Sequence, residues 1–167
     1  MVKIAAVMTF AERYSTSPGL FNGSITNVNM GTSGSPNLVA ASFPITRASN
    51  SYEKWIMGSF SGTFTQINNI KFYMSAGSYG TGEVIKYDGS QTTYVTPTTT
   101  TSVIGLGSLP TALPGANNVS IKGLLTAAGS LTATGSTDLI VMQYQTTASA
   151  ATGLTNTKTL TLQWDEI

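Results

Sequence analysis

The chain has 167 residues, 8 basic and 7 acidic side chains, and neither His nor Cys. Only 9% of its residues are charged, against roughly 25% in an average soluble domain. Without Cys there is no disulfide, thiolate nucleophile or Cys-based metal centre, and without His the commonest general base and transition-metal ligand are missing.

The length suits one domain, and 41% apolar residues supply a core. Thr and Ser make up 46 residues. The basic side chains (Lys3, Arg13, Arg47, Lys54, Lys71, Lys86, Lys122, Lys158) are dispersed. Neutralising several phosphates at once needs clustered cations, so this scatter argues against nucleic acid and against an anionic membrane surface. The apolar run 4–10 is short and meets Glu12-Arg13 at once, unlike a secretory signal. No run approaches the length of a membrane span.

In chain order, Val2, Ile4, Ala6, Met8 and Phe10 fit a strand, while Ile4, Val7, Met8 and Ala11 fit one face of a helix. Residues 15–19 break the pattern. Residues 1–17 therefore read as an arm, removable without unfolding the body, and 18–167 as a single β domain. Strand-like segments follow at 25–30, 38–43, 52–60 and 63–67. Ile70, Phe72 and Met74 alternate with Lys71, Tyr73 and Ser75, giving one apolar and one polar row. Segments 83–87 and 91–96, the second with a candidate strand at 92–96, flank Asp88-Gly89, whose residue types predict a tight hairpin turn. Residues 102–106 form another candidate strand. Val119 and Ile121 alternate with Ser120 and Lys122.

Segment 139–145 opens with Leu139-Ile140-Val141-Met142, apolar on both faces, which predicts a central strand covered on both sides. Leu160, Leu162 and Trp164 alternate again, with Trp164 expected in the core. The low-complexity stretches 96–102, 126–137 and 146–157 read as exposed loops. The fold expected is all-β: a single β-sandwich or barrel, jelly-roll-like, with long Thr/Gly-rich loops and an N-terminal arm.

The carboxylates (Glu12, Glu53, Glu83, Asp88, Asp138, Asp165, Glu166) are too few and too scattered to predict a catalytic pair. Asp165 and Glu166 are neighbours, and on a strand neighbours point to opposite faces. Glycines 77, 80 and 82, and 105 and 107, lack phosphate-loop spacing. No catalytic, cofactor-binding or metal residue is predicted, and no enzyme. Asn22-Gly23-Ser24 and Asn118-Val119-Ser120 match the glycosylation pattern. Phe10, Tyr14 and Phe21 lie outside the strongest strand pattern. With Ile4 and Val7 they form a candidate protein–protein contact, since apolar anchors on an arm serve that purpose.

Residues 42–75 (SFPITRASNSYEKWIMGSFSGTFTQINNIKFYMS) resemble small structural proteins of tailed double-stranded DNA bacteriophages. The likeness lies in the S-F-P-I-T-R lead-in, the Y-E-K-W strand and the F-S-G-T-F-T-Q-I-N-N-I-K-F-Y run, with the Thr-Pro-Thr loop at Pro97 and the closing L-T-L-Q-W-D-E-I. It is most like the capsid decoration, or cement, class. That resemblance implies a β-barrel or β-sandwich, commonly a homotrimer, seated outside the shell after assembly in the host cytoplasm and bound to the major capsid protein. It fixes no site residues and implies no cofactor. Two other expectations stand beside it: another virion part (head fibre base, tail or baseplate), or a carbohydrate-binding β-sandwich using exposed Tyr.

Overall fold

A computed structural model describes residues 5–99, 107–122, 129–153 and 155–167. Its regular structure is β throughout, apart from a single 3-10 turn at Ala40–Ser42. The strands are β1 (Val7–Tyr14), β2 (Leu20–Ile25), β3 (Lys54–Ser61), β4 (Ile67–Ala76), β5 (Glu83–Gln91), β6 (Gly107–Ser108), β7 (Gly135–Ser136), β8 (Leu139–Thr146) and β9 (Thr159–Glu166). Seven form an antiparallel sheet in the order β2-β1-β3-β8-β5-β6, with β7 extending the β8 side of β3. The remaining pair, β4 and β9, is a separate antiparallel ribbon. The large sheet does not close on itself, so the architecture is an unequal sandwich and not a barrel.

The ribbon explains the main core. Ile67, Ile70, Phe72 and Met74 of β4 and Leu162 of β9 pack on Ile56 and Phe60 of β3, Ile85 of β5, and Ile140, Met142 and Tyr144 of β8. The alternation expected in β4 is present. At its start a bulge between Asn68 and Lys71, with Asn69 at φ 50°, turns both Ile67 and Ile70 inward. The opposite face of the large sheet carries a second cluster of Ala11, Trp55, Met57, Leu139 and Val141, covered by Tyr94. Residues Leu139–Tyr144 of β8 are therefore buried on both faces, as the unbroken apolar run predicted. Trp164 is half-buried and meets Phe60 edge-on at 5.2 Å, so it lies at the core margin.

The structure corrects four expectations. First, Val7–Tyr14 is no arm. Strand β1 sits inside the sheet, paired with β3 from Val7↔Ser61 to Arg13↔Trp55 and with β2 on its other side. The break at 15–19 is the hairpin joining β1 to β2, where Ser15 (φ 74°) and Gly19 (φ 84°) take the left-handed backbone. Second, Asp88-Gly89 makes no turn. Strand β5 runs straight through it, with one extra residue bulged against β8 between Asp88 and Gln91. Asp88 Oδ1 accepts from Ser90 N at 2.9 Å and from Ser90 Oγ at 2.7 Å, which holds the bulge. Gly89 is needed there because a Cβ would overlap the carbonyl oxygen of Asn118, and its own carbonyl accepts from Ser120 N at 2.9 Å.

Third, 26–30, 63–66 and 92–96 are not strands, and 38–43 holds only the 3-10 turn; the candidate at 102–106 lies outside the described residues. Fourth, the low-complexity stretches are not all exposed. Within 126–137, Thr137 is fully buried, its hydroxyl accepting from Gly58 N at 3.0 Å and donating to Asp138 O at 2.7 Å. Ala150, within 146–157, is 3% exposed.

Removing residues 1–17 should abolish cooperative folding. It deletes an interior strand and leaves Lys54 buried without its carboxylate partner, a loss of about 3–5 kcal/mol on its own. That is a large part of the roughly 5–15 kcal/mol that stabilises a typical domain. Circular dichroism and urea unfolding of the truncated chain read this directly. Gly89→Ala should lower stability by about 1–3 kcal/mol. Gly115→Ala, where a Cβ has nothing within 4 Å, should stay within about 0.5 kcal/mol of wild type in the same denaturation series.

Candidate interaction surface

Of the five residues expected to act together, the four described do not share one face. Alternation along β1 sends Met8 and Phe10 to the ribbon side and Val7, Ala11 and Arg13 to the Trp55 side. Phe10 packs edge-on against the fully buried Phe72, with ring centroids 6.4 Å apart, and is partly buried against the main core. Tyr14 is half-buried opposite Leu20. Val7 and Phe21 are the two that face solvent, at 55% and 51% exposure. Ile4 lies outside the described residues.

Phe21 belongs to a group that inspection of the sequence missed. It pairs with Arg13 across β1 and β2, and the Arg13 guanidinium lies over its ring at 4.7 Å. On the other side Arg13 approaches the Tyr94 ring at 5.9 Å. Tyr94 meets Trp55 edge-on at 5.4 Å and donates its hydroxyl to Ser15 O at 2.6 Å. The stack is Phe21–Arg13–Tyr94–Trp55, running from solvent to the second core cluster. Nothing in the local sequence around 94 predicts it. The signal is a register relation between β1 and β2 plus a chain return some 80 residues later.

The charged side chains are mostly spent on holding the fold. Lys54 and Glu12, both 1% exposed, meet at 2.9 Å, and Lys54 Nζ also donates to Ser35 O at 2.6 Å. Burial raises the Glu12 pKa against the opposing pull of Lys54. Lys158 lies 3.9 Å from Glu83, between the rings of Tyr144 (5.6 Å) and Tyr79 (6.0 Å). Glu83 also accepts from Gly80 N at 2.9 Å. Asp165 accepts from Asn69, Glu166 from Ala6 N and Glu53 from Thr98 N. Among the described residues no three His, Cys, Asp or Glu converge as metal ligands.

Asn118, the acceptor of one glycosylation pattern, is consumed internally. Its Oδ1 accepts from Phe72 N at 2.7 Å while its Nδ2 donates to Phe72 O at 2.8 Å. The side-chain amide thus acts as a strand residue on the edge of β4. No tyrosine is exposed: Tyr94 and Tyr144 are buried, and the other five are half-buried. No family model, curated protein or solved structure matches this chain.

Burial lifts the Tyr94 hydroxyl to about 12 from its ordinary 10.0. An acid whose folded pKa is raised contributes stability that is complete below its unfolded pKa and is lost as pH climbs through the folded one. Stability should therefore decline between pH 10 and about 12. Tyr94→Phe should remove part of that decline, read by urea midpoints across the alkaline range, and remove one of the late phases of tyrosinate absorbance, since burial raises Tyr144 as well.

Proposed function

We propose that this chain is a non-enzymatic virion protein that decorates and stabilises the outside of an icosahedral phage capsid. On this reading it acts as a homotrimer on the major capsid protein, assembles onto shells in the host cytoplasm, and binds neither nucleic acid nor membrane. The observation that carries the reading is the resemblance of residues 42–75 to phage structural proteins. The structure adds support from its chemistry. The acidic groups described above are tied within the fold to lysines, to backbone amides or, for Asp165, to the Asn69 side chain. Such a chain works through binding energy and needs no reaction.

A decorating role also fits the exterior. Its outward rows are largely Thr, Ser and Asn, with separate apolar outcrops at Val7, Leu20, Phe21, Val39 and Leu113. A standard interface buries about 800 Å² per partner, roughly a tenth of the 8451 Å² surface here. Repetition on a lattice turns modest individual contacts into firm attachment. The carbohydrate-binding alternative loses ground, because it relies on exposed Tyr and the tyrosines are at least half-buried.

Purified protein mixed with undecorated phage heads should co-sediment saturably with shells and ignore free capsid subunits. Light scattering should give three chains per particle. Absence of co-sedimentation would overturn the proposal, and binding confined to tails would move the protein to that part of the virion.

A further inference from the structure

Strand β9 pairs with β4 on one side only, and the two edges of this ribbon differ. Along the outer edge of β4, Phe72 N and Met74 N donate to Asn118 Oδ1 and Pro110 O, and Phe72 O accepts from Asn118 Nδ2. Phe72 and Met74 therefore turn their main-chain groups away from β9. Antiparallel pairing alternates, so their partners Leu162 and Leu160 turn theirs away from β4, and Trp164 follows by the period of two. These three residues form the outer edge of β9. Their N–H and C=O groups have no hydrogen-bond partner among the described residues.

That edge lacks the usual protection. Its eight residues include no Pro, Gly or Lys, and the register shifts against β4 place the extra residues on β4. The edge strand β2, by contrast, carries Gly23 and a bulge. Leu162 is buried, with its side chain reaching Gly58. Leu160 and Trp164 face the same core yet stay half-exposed, because nothing described continues the ribbon beyond them.

We propose that β9 pairs edge to edge with β9 of a second copy of this chain, antiparallel about a two-fold axis through Leu162. The strand itself selects that occupant, since a two-fold contact must be self-complementary. In this register Leu160 lies opposite Trp164 of the second copy and Leu162 opposite its own counterpart, so both half-exposed side chains gain an apolar neighbour. On the other face Thr161 meets Gln163, and Thr159 meets Asp165. At each end Lys158 comes opposite Glu166, so no like charges are opposed. The three outward residues of each copy exchange roughly six main-chain hydrogen bonds. Moving the axis to Gln163 would set Glu166 against Leu160 instead.

This contact is small beside the about 800 Å² per partner of a stable complex, so it is weak between free chains and gains by repetition. The pairing does not rest on the capsid reading. Where that reading holds, it joins chains of two neighbouring trimers, because a two-fold contact cannot close a three-fold ring.

The chain has no Cys, so disulfide trapping reads the register directly. Thr161 and the opposing Gln163 form a non-hydrogen-bonded pair with Cα atoms about 4.5 Å apart, inside the disulfide range of about 4.4–6.8 Å. Thr161→Cys and Gln163→Cys chains, mixed at millimolar concentration in a glutathione redox buffer, should give the mixed dimer. Its yield should exceed that of either variant alone about fivefold or more, since identical cysteines stand on a diagonal about 7–8 Å long. Thr159→Cys with Asp165→Cys, both at exposed positions, repeats the measurement, and circular dichroism checks that each variant folds. No excess of mixed dimer from either combination, or preferential linkage of Gln163→Cys to itself, would overturn the assignment. Linkage in a chain that ignores phage heads would leave the pairing standing, and binding to heads without linkage would refute the pairing alone.

Discussion

The structure depends on one constraint: β8 has no face for water. Once Leu139–Tyr144 are covered above and below, neighbouring segments must supply two covers. The β4–β9 ribbon is one, delivering Phe72 and Leu162 to Ile140 and Met142. The other is irregular chain, pinned by Tyr94 against Trp55. A ribbon of two strands is marginal by itself. Its outer edge is therefore held by side-chain and loop hydrogen bonds, from Asn118 to Phe72 and from Met74 N to Pro110 O.

Where one face was buried and the other wet, the fold was legible in the sequence. The Ile70–Phe72–Met74 row and the doubly apolar start of β8 took their expected places, and the Leu160–Leu162–Trp164 row faces the core with Leu162 buried and Leu160 and Trp164 at its margin. What failed was local chemistry with two meanings. Asp-Gly serves a hairpin turn, but the same pair also serves a bulge, where Asp88 caps Ser90 and Gly89 admits Asn118. Only the approach of residues 118–120 decides between them. Likewise Ser15–Gly19 marks a break but does not tell a linker from a hairpin; the pairing of β1 with β3 does. Thr137 shows a third limit, since a hydroxyl in the core looks polar until its two partners are known.

The candidate surface was less legible, for a geometric reason. Apolar side chains close in sequence suggest one patch, yet on a strand they alternate. Phe10 thus turned toward the main core while Val7 and Phe21 stayed outside. The stack around Arg13 could not be read, because it needs the register of β1 against β2 and the return of Tyr94.

The buried pair of Glu12 and Lys54 works as a checksum on strand alignment. Sliding β1 by one position would carry Glu12 to the Trp55 side and leave two lone charges in oily surroundings. Mispaired assemblies of this sheet are thereby penalised twice, and the sequence spends two of its few charges on proofreading.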